Sequence, residues 1–308
     1  MGLDDAQLER YASQQRTAEQ AESYSTKYDR EFHKRVSSYF ERRAIRRALA
    51  ATGLESGVVL DLPCGAGRLT PLLQPVAAHL VSSDYSGEIL KIFQSRYDSP
   101  CFEGNAFQLP FADRALDLVF SARLSHHISD PERRRDYLRE IMRISGGWVV
   151  VTIFDRASLK NRLRELRRKF NNKRPKNAFS RAEVAELAES EGFTVQARFP
   201  VSRLASGHLY YVLGRNQPTR ATPPTDPLGL YRCPDDGSVL SAAEGELVQR
   251  VNAAIAAGGV TNRAQREVRE PLDTGLLRAD GKVLYPVHGG IPRLISDEGI
   301  DLALLTAG

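Results

Sequence analysis

The chain has 308 residues, 42% hydrophobic, 26% charged and 8% aromatic, with a formal net charge of +5. That is enough for a buried core and for two domains, and no apolar run reaches the roughly 18 residues a membrane-spanning helix needs. Three cysteines, Cys64, Cys101 and Cys233, are too few and too scattered for a disulfide framework or a four-cysteine zinc site. The polar start lacks an apolar signal core, so the expectation is a cytoplasmic protein.

Residues 3–50 read as helices, with Val36, Phe40, Ile45 and Leu49 near helical spacing on one face and Gly53 as a stop. Strands and helices then alternate. GVVLDL (57–62) reads as a buried strand and RLTPLLQ as the start of a helix. HLVSSD (79–84) reads as a second strand, followed by a helix over 86–97. PCFEGNA (100–106) and ALDLVFSA (115–122) read as a third and fourth strand. A helix over 130–144 follows, with Asp130 as cap and Pro131 at its first position, then GWVVVTIF (147–154) as the fifth strand.

Ser180 and Glu183 have capping-box spacing at the start of a helix that Gly192 ends. Segments 193–201 and 207–215 are close enough to pair antiparallel. The expected architecture is therefore α/β: a doubly wound, mostly parallel, seven-stranded Rossmann-like sheet with an N-terminal helical extension. NQPTRATPPTDP (216–227) reads as a linker, and a small α+β domain follows over 228–308. The expected division is 1–215, with 1–50 as a helical lid, then 216–227, then 228–308.

Charge is unevenly spread. LKNRLRELRRKFNNKRPK (159–176) holds nine Lys or Arg against one Glu, which suits phosphate, anionic lipid or nucleic acid and equally suits a solvated helix face.

The chemistry-bearing stretch is VVLDLPCGAGRLTPLL (58–73). An acid ends the strand, and Gly65 and Gly67 let bare backbone approach a ligand beyond the strand's carboxyl end. A dinucleotide fingerprint wants a third small residue where Thr70 stands, and Pro63 occupies the position where a glycine opens the turn.

The order acid, two residues, Cys64-Gly65-Ala66-Gly67 resembles the first motif of class I S-adenosylmethionine-dependent methyltransferases. Asp84, and the run GNAFQLPFADRALDLVFSARLSHHI (104–128), extend the resemblance over about residues 24–155. It is nearest the broad group that contains ubiquinone-biosynthesis methyltransferases. The resemblance implies S-adenosyl-L-methionine as cofactor. It places Asp61, Cys64, Gly65 and Gly67 at the loop, and Asp84 on the ribose hydroxyls with Tyr85 beside it. Asn105 and Ala106 would flank the adenine, and Ser121 to Arg123 would close the methionine side. Asn105 stands where the family commonly has Asp. Tyr24 and Tyr28 resemble an N-terminal lid. His126 and His127, on the acceptor rim, are the candidate general bases, with packing as the alternative for either.

No Asn-Pro-Pro-Tyr motif is present, so the leading acceptor is a small-molecule, sugar or lipid-linked hydroxyl, bearing phosphate or carboxylate if the basic stretch caps the site. An RNA methyltransferase using 159–176 and a cofactor-binding scaffold acting through the C-terminal domain are the other readings. That last domain resembles the small activator subunit of tRNA, ribosomal RNA and release-factor methyltransferases. The carrying residues are Cys233-Pro234, Gly237, Leu240, Tyr285-Pro286, Gly290-Ile291-Pro292 and Leu294. Asp236 stands where relatives have a zinc cysteine, so no metal site is expected, and residues 245–275 look like an insertion. The resemblance implies packing against the methyltransferase in cis, or recruitment of another protein.

Overall fold

The structure, a computed structural model, describes residues 32–158, 177–202, 207–222 and 227–303. Tyr24, Tyr28 and the basic stretch 159–176 lie outside the described residues.

Strand β1 (Gly57–Leu62) is buried along its whole length, as its unbroken apolar run requires. It pairs in parallel with β2 (Ala77–Asp84) on one side and β4 (Leu116–Ser121) on the other. β2 continues to β3 (Cys101–Gly104), and β4 to β5 (Ser145–Phe154), again in parallel. β7 (His208–Arg215) runs antiparallel to β5, and β6 (Phe193–Pro200) antiparallel to β7. The order is thus β6-β7-β5-β4-β1-β2-β3, with the direction of winding reversing between β1 and β4.

Alternation along the strands feeds two faces. Val58, Leu60, Val119, Val149 and Val151 belong to one core cluster, which also takes Tyr137, Leu138 and Ile141 from α3 (Pro131–Arg143) and Val184 and Leu187 from α4 (Arg181–Ser190). Val59, Leu118, Phe120, Val150, Tyr210 and Val212 form the opposite cluster with α1 (Phe32–Ala50). Asp130 caps α3 through the Arg133 N–H, and Ser180 and Glu183 complete a capping box on α4.

Two expected details differ. The α1 stripe that is buried is Glu41, Ala44, Ile45, Ala48 and Leu49, while Phe40 is exposed; a charged residue inside the buried stripe shifts it away from the purely apolar reading. RLTPLLQ does not open an α-helix. It folds as two short 3-10 turns, Thr70–Leu72 and Gln74–Val76, because Pro71 and Pro75 each remove a backbone donor that a helix needs.

The sheet does not stop at seven strands. After residue 227 come β8 (Leu240–Ala242), α5 (Gly245–Ala257), β9 (Thr274–Arg278), β10 (Val283–His288), β11 (Ile291–Leu294) and β12 (Ile300–Asp301). β11 pairs in parallel with β3, Arg293 opposite Glu103 and Leu294 opposite Gly104, so one twelve-stranded sheet runs through the molecule. Around this junction Tyr231 packs on Phe102 and Phe111, ring centroids 5.3 and 5.9 Å away. Gln108 donates to the Pro234 carbonyl (2.6 Å) and accepts from the Ser296 hydroxyl (3.0 Å). Segment 216–222 is tied down as well. Asp117 accepts from the Val58 N–H through one oxygen and from the Ala221 N–H through the other.

All three cysteines are reduced and buried. Among the described residues no group of three or more His, Cys, Asp or Glu is placed to hold a metal, and no helix is long and apolar enough to cross a membrane.

Candidate functional site

The reversal of winding between β1 and β4 opens a crevice beyond their carboxyl ends. The loop after β1 enters it and is gripped from two sides. The Cys64 N–H donates to the Ser83 carbonyl (2.9 Å), prolonging the β1–β2 ladder. The Gly65 N–H donates to Asp84 Oδ2 (3.0 Å). From α2 (Gly87–Gln94) and the residues after it, Arg96 donates to the Ala66 carbonyl (3.2 Å) and the Tyr97 hydroxyl to the Gly67 carbonyl (2.9 Å).

The two loop glycines serve different ends. Both have left-handed backbone, φ +55° at Gly65 and +83° at Gly67. A Cβ on Gly65 would meet nothing within 4 Å, so its bare α-carbon faces open space; a Cβ on Gly67 would run into the Tyr97 ring. Only Gly65 leaves room for a ligand.

Two carboxylates frame the loop. Asp84 ends β2 and is 6% exposed, with Oδ1 accepting from the Ser86 N–H (3.1 Å) and Oδ2 from Gly65. Burial pushes its carboxyl up to about 6, against the pull of the Ser86, Gly65 and Tyr85 N–H groups. Asp61, one strand over, accepts from the Thr70 hydroxyl (3.0 Å). Burial raises it to about 7; Thr70 lowers it and the nearby Asp84 raises it further. Burial also lifts the Cys64 thiol well above its ordinary value, with both aspartates adding to the shift, which leaves it no thiolate character.

The remaining sequence-derived residues fall around this frame unevenly. Tyr85 follows Asp84 and lines a cleft shared with Ser86, Glu103, His288 and Arg293, at the junction with the C-terminal strands. Asn105 turns its Oδ1 to the Phe107 N–H (3.0 Å), closing a tight turn beside buried Ala106. Ser121 is fully buried with its hydroxyl 2.5 Å from the Tyr137 hydroxyl, so its side chain serves the α3 face of the sheet. Arg123, with φ +66°, donates its Nε to Glu41 Oε1 (2.7 Å) and its backbone N–H to the Thr152 hydroxyl (2.5 Å). His126 and His127 lie in the 3-10 turn Ser125–His127 after β4, their rings 4.1 Å apart.

Sequence reasoning missed Glu41, Arg68 and Tyr97. Glu41 is 1% exposed and pairs with Arg68 of the loop (2.9 Å) and Arg123 (2.7 Å), joining α1 to both flanks of the crevice. Its carboxyl is held below the ordinary range: burial pushes it up, and the two guanidiniums outweigh that. A glutamate in phase with Ala44, Ala48 and Leu49 was the available signal. Tyr97, at the end of the predicted helix, carried none.

These residues fit S-adenosylmethionine. Oriented by the Gly65 and Ser86 N–H groups, the Asp84 carboxylate presents an acceptor at the turn of the kind a ribose hydroxyl needs. The space over Gly65 admits the ligand without a side chain in the way.

A family model described as a methyltransferase domain matches residues 60–151. The demethylmenaquinone methyltransferase of Thermotoga maritima is 38% identical over 89 residues, 28% of this chain and 38% of that protein. The tRNA (carboxymethyluridine(34)-5-O)-methyltransferase of Arabidopsis thaliana is 30% identical over 104 residues, 33% of this chain and 25% of that protein. The chain spans between 21% and 50% of the length of the curated relatives it matches. The fold is shared with magnesium protoporphyrin IX methyltransferase of Synechocystis, solved with bound SAH. That match has a TM-score of 0.51 and 16% identity, over 60% of this chain and 88% of that one.

Proposed function

We propose that this chain, which carries an S-adenosylmethionine-dependent methyltransferase domain, transfers the methyl group to an oxygen acceptor. The observation that carries the reading is the Asp84 carboxylate, oriented by the Gly65 and Ser86 N–H groups against an open glycine turn. When bound, the cofactor supplies an electrophilic methyl on a sulfonium, which an aligned nucleophile displaces in line. Asp84 binds the ribose hydroxyls, and Asn105 and Ala106 flank the adenine. Asp61 and Thr70 fix the loop, while Glu41 fixes Arg68 and Arg123 beside the methionine end. Calorimetry with S-adenosylhomocysteine tests this. Binding is expected and is lost in Asp84→Ala; no binding by the wild type, or undiminished binding by the variant, sinks the reading.

Oxygen is favoured because the sequence lacks the Asn-Pro-Pro-Tyr motif of amide- and base-nitrogen methylation. A small-molecule acceptor is the primary reading. RNA is the second, supported by the basic stretch 159–176 and by a relative named for methylating a tRNA carboxymethyluridine. Salt-sensitive retention of tRNA, abolished by neutralising 159–176, would favour RNA.

The segment 228–308 is read as an activator-like domain acting in cis, supported by the β11–β3 pairing and the Tyr231 contacts. The domain division 1–215, 216–227, 228–308 is part of the same proposal.

A further inference from the structure

A cleft of about 600 Å³ runs along the seam between α1 and the two 3-10 turns that follow the glycine loop. Its origin lies in the sequence. Pro71 and Pro75 prevent a helix there, and two short turns do not interdigitate with α1 as a second helix would. The floor is apolar. Leu49 and Leu72 are buried, and Leu54 and Val76 are half-buried against the same core cluster. The volume falls within the roughly 300–1,000 Å³ of small-molecule sites.

Three charged side chains line this apolar floor: Arg42, Arg46 and Glu55. Arg42 is half-buried and its guanidinium makes one long contact, to the Arg68 carbonyl (3.4 Å). Among the described residues neither Arg42 nor Arg46 pairs with a carboxylate. Arginines in the last turns of a helix often cap its carbonyls. That need is met otherwise here, because the Arg47, Leu49 and Ala50 carbonyls accept from the Ala51, Thr52 and Gly53 N–H groups. The two guanidiniums against the Glu55 carboxylate leave one positive charge over the floor. A monoanion with an aliphatic tail complements both features. The volume suits a single chain and not a two-chain lipid.

We infer that this cleft is a second binding site, for a single-chain aliphatic carboxylate whose tail lies on Leu49, Leu54, Leu72 and Val76 and whose headgroup meets Arg42 and Arg46. The site is separate from the crevice. Glu55 precedes β1 and Val76 precedes β2, so the floor extends toward the amino ends of strands whose carboxyl ends face the crevice. The inference stands apart from the methyl-transfer reading and does not depend on it.

The test is calorimetry on the full chain with sodium decanoate below its micelle-forming concentration, and with 1-decanol as the uncharged counterpart. Saturable binding of one decanoate per chain is expected, with decanol at least tenfold weaker. Octanoate and hexanoate should bind progressively less well, by about fourfold for each methylene removed. Arg42→Gln and Arg46→Gln should each weaken decanoate about tenfold, the loss of one charge-assisted hydrogen bond. Arg139→Gln, a change to an exposed arginine on α3, should leave it unchanged. Excess S-adenosylhomocysteine should not displace the ligand. Thermal melts of Arg46→Gln should match the wild type, since Arg46 is exposed. Absent or non-saturable binding, equal affinity for decanol, insensitivity to chain length, or equal loss in Arg139→Gln and Arg46→Gln would each overturn the site. Displacement by S-adenosylhomocysteine would place decanoate in the crevice and overturn it as well.

Discussion

The phenol ring of Tyr97 lies where a side chain on Gly67 would have to go, and its hydroxyl donates to the Gly67 carbonyl at 2.9 Å. The second glycine of the loop is therefore a packing requirement, whereas the first faces open space. Gly67→Ala should destabilise the protein by about 2 kcal/mol or more, since it adds both a ring clash and a methyl at φ +83°. Gly65→Ala should cost about 1 kcal/mol of stability yet reduce S-adenosylhomocysteine affinity more than any stability loss accounts for. Thermal denaturation and calorimetry on the same two variants separate these outcomes; similar profiles would contradict the division of roles.

Cofactor binding should depend on pH through Asp84. Burial pushes its carboxyl up to about 6, and in the proposed ribose contact only the ionised form can accept from two hydroxyls at once. Affinity for S-adenosylhomocysteine should therefore rise as pH increases through about 6 and level off above it. Stability of the unliganded protein should move the other way. Asp84 and Asp61 bind protons more tightly folded than unfolded. Their contribution is full below the ordinary aspartate value of 3.8 and is lost as pH climbs through about 6 and about 7. Calorimetry and thermal melts across that window check both signs.

Glu41 should be the most sensitive position of α1. Glu41→Ala leaves the Arg68 and Arg123 guanidiniums facing each other without their shared carboxylate, and a loss of about 3 kcal/mol is expected. Glu41→Gln should recover part of it by keeping one acceptor. Denaturant unfolding of the two variants gives the comparison; equal stability of Ala and wild type would show the triad to be inert.

The continuity of the sheet through β3 and β11 predicts that the chain unfolds in one transition. Tyr231→Ala should empty the space against Phe102 and Phe111 and cost about 3 kcal/mol. Two separated transitions in calorimetry, with only one moved by the substitution, would mean that the C-terminal strands fold independently.

Local patterning made much of this legible. Asp130, Ser180 and Glu183 mark helix starts because capping is decided within three residues. Asp61 and Asp84 stand out because each is an acid at or next to the carboxyl end of a strand. Thr70, which argued against a dinucleotide, proved to be the hydroxyl partner of Asp61. What stayed hidden is non-local. Nothing in IPRL announces a partner in CFEG, since parallel pairing leaves no trace in either strand alone. Glu41 hid inside a stripe sought for apolar residues, and His208 is 81 positions after His127, so their convergence requires the β5–β7 ladder. Pro71 and Pro75 mark, in the sequence itself, why the expected helix breaks into two 3-10 turns.

The junction of β11 with β3 also governs what the molecule can associate with. In a seven-stranded sheet β3 would offer a row of bare backbone donors and acceptors, open to any extended segment from another chain. Here the protein's own downstream strand takes that row. A covalent tether supplies the occupying strand at an effective concentration on the order of millimolar. The pairing therefore tolerates an intrinsic affinity far below what two separate subunits would need at cellular concentrations. Stoichiometry is fixed at one to one by translation itself. A free-standing subunit would have to outcompete the tethered strand to reach the same edge.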